Sequence, residues 1–345
     1  MSRNSICELY EIDYNALLEA VRGVKKILLT APDGLKKLYD CIREYFLSKE
    51  LFVELYFSSS PSYGSCYISM GELELIKPDM IIHIGHNEYP LISINIGKKI
   101  LYIPAFYKRA PQLEELEEIY QTILRKNFKR VGLIASIQHV KILGKIREFL
   151  ESRGIKAYIG KSAYNQMLLG QVLGCEYSAL ISIIDKIDAV LTVSGGRFHA
   201  LGAYLVSRKP IIVYDPYSGK VIDFTKDAVK TYAKRLYIVE HVRNNNYRRV
   251  GLIIGVSPGQ YRDRLVKYLY RLSKEKGFEP YLIISDYVNE DRLVSIDNAF
   301  NLDFYVVTSC PRIPVDDITS FYKPVLTPGE YLMILNNIRQ YVFPW

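Results

Sequence analysis

The sequence lacks any apolar run that approaches the ~20 residues needed to cross a bilayer. Its opening stretch, MSRNSICELYEIDYNALLEAV, also lacks the continuous apolar segment of a secretory signal peptide. Both absences disfavour a membrane or secreted protein, and we expect a cytoplasmic one. No predicted strand is followed by G-x-G-x-x-G or a P-loop, so no motif indicates nucleotide binding.

Cysteine is scarce, with five residues in 345, and an odd number cannot pair completely within one chain. They are also too far apart for a disulfide framework. In a cytoplasmic protein such thiols fill the core, bind metal or react. The five are Cys7, Cys41, Cys66, Cys175 and Cys310.

Positive charge is in moderate excess, with 45 Lys and Arg against 37 acidic residues and a net charge of +8. The excess is spread along the chain without a long basic block. It fits an acidic macromolecular partner, and it is weak evidence for nucleic acid, so we expect no direct nucleic-acid binding. Hydrophobic residues make up 49% of the chain, which is enough for a large core.

One strand pattern occurs three times along the chain. The segments KKILLTAP (25–32), KRVGLIAS (129–136) and RRVGLIIG (248–255) resemble one another. A second set is PDMIIHIGH (78–86), IDAVLTVSG (187–195) and LDFYVVTSC (302–310), and a third lies at 98–105, 208–216 and 322–328. A further strand fits each gap, at 51–57, 155–160 and 279–284.

The spacing within the copies agrees as well. Asp79, Asp188 and Asp303 follow Ile27, Val131 and Val250 by 52, 57 and 53 positions. Between strands the apolar period becomes helical, and segments such as KILGKIREFLESRG end at a glycine, a common helix stop. Apolar strands alternating with helices predict parallel sheets covered on both faces.

We therefore predict an α/β fold of three similar doubly wound parallel-sheet units, arranged with pseudo-threefold symmetry. Their expected bounds are 1–107, 108–218 and 219–345. The alternative is two ordinary Rossmann-like domains.

Three of the cysteines have related places in the repeat. Cys66 and Cys175 each lie 13 positions before the repeated aspartate, in a loop before a helical pattern, where a helix N-terminus would lower the thiol pKa. Cys310 lies seven positions after Asp303, at the end of a strand, where His86 and Gly195 stand in the other units. Ligands of open α/β sheets collect at that edge, so the three thiols converge if the units face inward.

Three converging thiolates without a C-x-x-C pair fit a 4Fe–4S cluster with one open iron better than structural zinc, which is normally four-coordinate. The alternative is that all three are small buried hydrophobic residues. Cys7, near the terminus, and Cys41, in an amphipathic helix, are interpreted as structural.

Seven motifs span nearly the whole chain: PSYGSC (61–66), HIGH (83–86), GQVLGCEYSA (170–179), GGRFHALG (195–202), SPGQYR (257–262), TSCPRIPVDD (308–317) and KPVLTPGE (323–330). In this order they resemble the archaeal iron–sulfur subunit of diphthamide synthase, the 2-(3-amino-3-carboxypropyl)histidine synthase family. GQVLGC and CPRIPVDD are the specific motifs, whereas HIGH alone means little.

The resemblance implies a 4Fe–4S enzyme that cleaves S-adenosylmethionine by a non-standard radical mechanism. It transfers the 3-amino-3-carboxypropyl group to a histidine of translation elongation factor 2, the first step of diphthamide biosynthesis. The family's cluster ligands correspond to Cys66, Cys175 and Cys310. Archaeal members act as homodimers, and the electron donor is not indicated.

The sequence departs from the family pattern near the first cysteine, whose motif is usually flanked by acidic residues. Here Ser58, Ser59 and Ser60 precede the motif and Tyr67 follows it. Ser309 also stands where alanine is commoner. These departures motivate an alternative, a non-catalytic paralogue that supports a partner's cluster. A quinolinate synthase would share the architecture, but its motifs are absent.

Ligand-binding residues are expected around the strand ends. SPGQYRDRL is predicted to open a helix whose free N–H groups, with Arg262, hold the carboxylate of S-adenosylmethionine, and Gln260 is expected to bind its carboxylate or amine. Arg312 is a second candidate for that carboxylate or for the protein substrate. The alternative is a simple helix cap with a solvated Arg262.

The remaining candidates each have a structural alternative. Gly195 and Gly196 permit close backbone approach or form a tight turn. His199 lines the site or caps a helix, and His86 faces the cluster or is a hydrogen-bonded core residue. His83 is interpreted as core. Asp316 and Asp317, after Cys310, cap a helix or serve the site.

Overall fold

The structure, a computed structural model, describes residues 3–318 and 320–345. The strands predicted from the repeat are all present and form three separate sheets, so the protein is α/β with several parallel sheets.

The first sheet has four parallel strands, and a short antiparallel pair accompanies it. The strands of the sheet and of the pair are, in chain order, β1 (Tyr10–Glu11), β2 (Lys26–Thr30), β3 (Glu54–Phe57), β4 (Met80–Ile84), β5 (Lys99–Ile103) and β6 (Phe106–Tyr107). Its helices are α1 (Arg3–Leu9), α2 (Tyr14–Ala20), α3 (Leu38–Ser48) and α4 (Met70–Ile76). The parallel order is β3-β2-β4-β5, and β1 pairs with β6.

The second sheet repeats this arrangement and adds one antiparallel edge strand. Its strands are β7 (Arg130–Ala135), β8 (Lys156–Tyr158), β9 (Ala189–Val193), β10 (Ile211–Asp215) and β11 (Lys220–Asp223). Its helices are α5 (Leu113–Arg125), α6 (Leu143–Ser152), α7 (Ser178–Ile181) and α8 (Phe198–Ser207). The order is β8-β7-β9-β10-β11, in which only β11 runs antiparallel.

The third sheet is again parallel and has four strands. After helix α9 (Thr225–Asn244) come the strands β12 (Arg249–Gly255), β13 (Glu279–Ser285), β14 (Phe304–Val307) and β15 (Val325–Leu326). The helices between and after them are α10 (Asp263–Glu275), α11 (Glu290–Phe300) and α12 (Pro328–Leu335). The order is β13-β12-β14-β15.

The parallel strands of all three sheets therefore have the same order. In each sheet, the second of these strands along the chain lies on one side of the first, and the third and fourth lie on the other side. The repeated aspartates explain part of this likeness. Asp79, Asp188 and Asp303 each accept hydrogen bonds from two consecutive backbone N–H groups at the start of the first strand, at 2.7 to 3.1 Å. Each carboxylate thus ties the start of its first strand to the start of its third.

Apolar residues cover both faces of the first sheet, as its continuous apolar strands predict. Ile27 packs in one cluster with Leu38 of α3, and the next residue, Leu28, packs in another with Leu73 of α4. The second and third sheets share one large cluster, which includes Val190, Val250 and Val239 of α9. Helix α9 therefore lies in a core common to these two sheets.

Cys7 and Cys41 form a disulfide between α1 and α3. The sequence suggested two structural cysteines and no disulfide framework; the packing of α1 on α3 nevertheless brings their Cα atoms, 34 positions apart in the sequence, to 5.7 Å. Among the described residues, no helix is both long and apolar enough to cross a membrane.

Candidate functional site

A cavity of about 390 Å³ is lined by loops that follow strands of all three sheets. Cys66 comes from the loop after β3, Cys175 from the loop after β8 and Cys310 from the loop after β14, and all three line this cavity. Since parallel strands end at the same edge of a sheet, three inward-facing sheets bring residues together that are far apart in sequence.

The loop of Cys66 is held against the third sheet. The Ser257 hydroxyl donates to the Cys66 carbonyl at 3.1 Å and accepts from the N–H of Ile68 at 2.8 Å. Gly259 packs directly on the Cys66 backbone, so that a Cβ there would lie 2.5 Å from the Cys66 carbonyl oxygen. The third sheet therefore determines where the first thiol lies.

The thiol of Cys175 lies beside a tyrosine from the first sheet's segment. Its Sγ is 3.6 Å from the hydroxyl of Tyr89, which also accepts a hydrogen bond from Arg262 at 2.7 Å. The guanidinium of Arg262 stacks 3.7 Å from the ring centroid of Trp345. Residues from all three parts of the chain thus surround this thiol.

Cys310 follows β14 directly. The preceding Thr308 anchors the strand end, because both its N–H and its hydroxyl donate to the carbonyl of Ile253 at 3.0 Å. A π-helical turn, Ile313–Asp317, follows, and Arg312 donates to Asp317 across it at 3.0 Å.

The thiol pKa values are raised, contrary to the expectation of helix-lowered thiolates. Burial is the main cause for each, and neighbouring cysteines add to it for Cys66 and Cys310; the pKa of Cys310 rises to about 12. Helix α4 begins four residues after Cys66, and α7 has only four residues, so neither helix end acts on a thiol. Desolvation therefore dominates the pKa values of these thiols.

The donor set fits a 4Fe–4S cluster. Within the described ranges, no three Cys, His, Asp or Glu side chains are grouped closely enough to hold one metal ion. In a cluster, by contrast, each thiolate binds a different iron, so the sulfurs need to face a shared space rather than a point. The disulfide occupies Cys7 and Cys41, and Cys66, Cys175 and Cys310 remain as the free thiols.

Three histidines also line the cavity, namely His86, His139 and His199. Burial lowers the pKa of each to about 4, so all three rings are neutral at neutral pH. His86 and His199 therefore line the cavity, in agreement with the interpretation that places each of them at the site. His83 is a buried residue of β4, as expected, and its Nε2 lies 2.9 Å from Nδ1 of His86.

A helix does begin within SPGQYRDRL, but only at Asp263, and this corrects the expectation that SPGQYR offers free helix N–H groups. The N–H groups of Gln260 and Tyr261 both donate to the carbonyl of Ser257, and α10 begins only at Asp263. These N–H groups are therefore not free to bind an anion. Gln260 does line the cavity, with its Nε2 3.9 Å from the Cys66 sulfur, whereas Arg262 lies behind Tyr89 and does not line it.

Gly195, Gly196 and Arg312 are among the lining residues. A Cβ at Gly195 would lie 2.5 Å from the ring of Tyr217, whereas one at Gly196 would meet open space. The Arg312 guanidinium lies 5.1 Å from the Tyr63 ring centroid and pairs with Asp317. Asp316 and Asp317 thus serve as partners of Arg312.

Sequence reasoning missed several residues of the site. Tyr89 follows HIGH by three positions, and Tyr217 follows a strand end, so their position after predicted strands was an available signal. Gln138 carried the same signal, three positions after the end of β7; it donates to the carbonyl of Gly85 at 2.8 Å and joins the first two sheets. A reciprocal amide pair, Asn87 with Gln171, joins the same sheets at 2.9 and 3.0 Å.

Comparisons with known proteins agree with one another. The family model described as "Putative diphthamide synthesis protein" matches residues 31–342. A relative from Pyrococcus horikoshii, named 2-(3-amino-3-carboxypropyl)histidine synthase, is 30% identical over 97% of this chain and 93% of its own. A relative of the same name from Methanocaldococcus jannaschii is 25% identical over 99% of this chain and 94% of its own.

Among solved structures, the chain is similar to Dph2 from Pyrococcus horikoshii with a 4Fe–4S cluster. The TM-score is 0.80 at 29% identity, and the match covers 97% of this chain and 93% of that one.

Proposed function

The chain belongs to the diphthamide synthesis protein family, and from this membership we propose that it is a 2-(3-amino-3-carboxypropyl)histidine synthase. It transfers the 3-amino-3-carboxypropyl group from S-adenosylmethionine to the imidazole C2 of a histidine in translation elongation factor 2. This is the first step of diphthamide biosynthesis. When bound, a 4Fe–4S cluster supplies the one-electron chemistry for cleaving the sulfur–Cγ bond.

The observation that supports this most is the common cavity of Cys66, Cys175 and Cys310. Three thiols from three sheets would hold a cluster and leave one iron for the substrate. Because burial keeps these thiols protonated, the protein would lose their protons when it takes up iron. We further propose that the units 1–107, 108–218 and 219–345 surround the cluster with pseudo-threefold symmetry.

The cavity offers groups for a ligand with a carboxylate, an amine and an adenosine. Gln260 lies beside Cys66, and Arg312 brings a cation that a carboxylate could share with Asp317. Gly195 and Gly196 present exposed backbone, and His199 a neutral ring. Arg262 acts from behind Tyr89, so its role is to orient that hydroxyl near Cys175.

The acceptor histidine of the elongation factor must enter the same cavity from outside. A net charge of +8 would attract an acidic protein surface. The proposal includes a homodimer, as the resemblance implies, and a cytoplasmic location, since translation elongation takes place there.

Replacement of single cysteines tests the cluster assignment. After anaerobic reconstitution, the wild-type protein should contain about four irons per chain and be brown. Cys66→Ala, Cys175→Ala and Cys310→Ala should each damage the cluster, whereas Cys41→Ala, the matched control, should keep it. A colourless protein with stoichiometric zinc would overturn the proposal, as would the same iron content in all four variants.

The alternative of a non-catalytic paralogue rested on the serines before Cys66. In the structure, Ser58 and Ser60 both donate to one carboxylate oxygen of Glu72, at 3.0 and 2.6 Å. The carboxylate of Glu72 therefore lies beside this loop, although the residues just before the cysteine motif are serines. Purified protein with reductant, S-adenosylmethionine and elongation factor 2 decides the matter, since a full cluster without modification of the factor would favour the paralogue.

A further inference from the structure

If the protein has the proposed function, on which this inference rests, the transfer reaction releases a proton inside the cavity. The sulfonium ion loses its positive charge when the neutral thioether leaves. C2 of the acceptor imidazole exchanges its hydrogen for carbon, so one proton leaves for each group transferred. The electron that starts the cleavage is recovered when that hydrogen departs as a proton, and no external oxidant is consumed. The site therefore needs a proton acceptor.

We propose that His86 accepts this proton on Nε2, and that His83 and Thr30 are positioning residues that orient its ring. The Nδ1 atom of His86 lies 2.9 Å from Nε2 of His83, and Nδ1 of His83 lies 2.9 Å from the Thr30 hydroxyl. These contacts occupy Nδ1 of His86 and leave Nε2 as the nitrogen available to a molecule in the cavity.

The chain of contacts also couples the tautomers of the two rings. When the Thr30 hydroxyl accepts the N–H of His83 Nδ1, Nε2 of His83 is free to accept the N–H of His86 Nδ1. His86 then presents an unprotonated Nε2. After protonation, His83 remains hydrogen-bonded to the charged ring and stabilises it. Thr30 lies on β2 and does not line the cavity, so its effect reaches the reaction only through the two rings.

The charge state agrees with this role. Burial is the main cause that lowers the pKa of His86 to about 4, and His199 across the cavity contributes. His86 is therefore an unprotonated acceptor at neutral pH and releases a captured proton readily. The ring of Tyr102, on β5, flanks His83 with centroids 5.8 Å apart, but burial raises its pKa, so it stays protonated.

Other titratable groups of the cavity are less suited. Tyr63, Tyr89 and Tyr217 have raised pKa values and are protonated. Asp316 pairs with Arg312 at 3.5 Å.

Neither of the other two histidines has a described hydrogen bond that determines which ring nitrogen carries the proton. His139 packs edge-on against aromatic rings, and its buried Nδ1 has no hydrogen-bond partner in the described part of the chain. The ring nitrogens of His199 make no hydrogen bond to another residue within the same ranges. Among the described residues, His86 is the one of these three histidines whose Nδ1 is held by another ring, which leaves its Nε2 for the cavity.

The test compares two products of the reconstituted holoenzyme, given dithionite, S-adenosylmethionine and elongation factor 2. His86→Gln should still release methylthioadenosine at close to the wild-type rate, because cleavage precedes proton loss. Histidine modification should fall by about 100-fold, the usual size of a general-base contribution. Added imidazole should restore modification in His86→Ala and not in the matched control, His139→Ala.

Thr30→Val gives a readout independent of the cluster. In the protein without iron, ¹⁵N NMR of the histidine rings should show Nε2 of His86 unprotonated in the wild type and protonated in Thr30→Val. Thr30→Ser should restore the wild-type state.

Two results would overturn the role of His86: equal loss of cleavage and modification with a full cluster, or unchanged modification in His86→Gln. An unprotonated Nε2 in Thr30→Val would overturn the role of Thr30. If the wild-type protein itself fails to modify the factor, the proposed function fails instead.

Discussion

Replacing Gly259 by alanine should disturb the cluster site without touching any cluster ligand. A Cβ at this position would lie 2.5 Å from the Cys66 carbonyl oxygen and 2.6 Å from its Cα. Real Cβ atoms do not approach backbone that closely, so either the loop of Cys66 or the segment Ser257–Gln260 must move. Both are held by the hydrogen bonds of Ser257, and neither can shift alone.

The expected cost follows from overpacking, which typically amounts to about 1–3 kcal/mol. If the strain falls on the position of Cys66, about 2 kcal/mol corresponds to a roughly 30-fold weaker hold on the cluster, at 1.4 kcal/mol per factor of ten. If the strain instead destabilises the fold, the free energy of unfolding measured in urea falls by the same amount.

The assay is iron retention under a chelator after anaerobic reconstitution, together with the urea midpoint. Gly71→Ala is the matched control, since it lies five positions after Cys66, on α4, and its Cβ would meet no atom within 4 Å. We expect Gly71→Ala to equal or slightly exceed wild-type stability, because alanine favours a helix by up to ~1 kcal/mol. If Gly259→Ala matched Gly71→Ala in both measurements, the inferred contact with Cys66 would be wrong.

Two further changes test the packing around the site. Arg235→Met should lower the free energy of unfolding in urea by about 3–5 kcal/mol, because it leaves the buried Glu330 carboxylate without its ion pair. The double variant Arg235→Met with Glu330→Gln should recover much of this loss. An equal loss in the single and the double variant would contradict the reasoning. His139 has a pKa of about 4 when folded and 6.5 ordinarily, so the unfolded state gains a proton first as the pH falls below 6.5. Stability is therefore lost between pH 6.5 and about 4, by about 2 kcal/mol at pH 5 from this ring alone. His139→Phe should reduce the loss between pH 7.5 and pH 5 by that amount, and an unchanged difference would refute the assignment.

Much of the fold could be predicted from the sequence because its signals are local. Continuous apolar strands, helical periods and stopping glycines identify each strand from its own residues. The repeated aspartates marked equivalent positions for a structural reason, since each ties the first strand of its sheet to the third. What the repeat could not reveal was β11 or the pair β1 and β6, because short edge strands carry little pattern.

The functional site could be predicted only in part from such local sequence signals. Position relative to strand ends identified Cys66, Cys175 and Cys310, which do line one cavity. The same reasoning was wrong about their pKa values, because burial depends on neighbours from other sheets. It was also wrong about free N–H groups in SPGQYR, because those of Gln260 and Tyr261 donate to the carbonyl of Ser257.

The sequence by itself determined the strands, their order along the chain and the residues at their carboxyl ends. These features depend on side-chain periodicity over a few positions, so they can be read without the fold. Tertiary structure alone decided that Arg262 reaches Tyr89 rather than the cavity, that His83 orients His86, and that Cys7 bonds to Cys41. The physical reason is that such contacts depend on how separate helices and sheets pack, and on the charged or polar groups that packing removes from water.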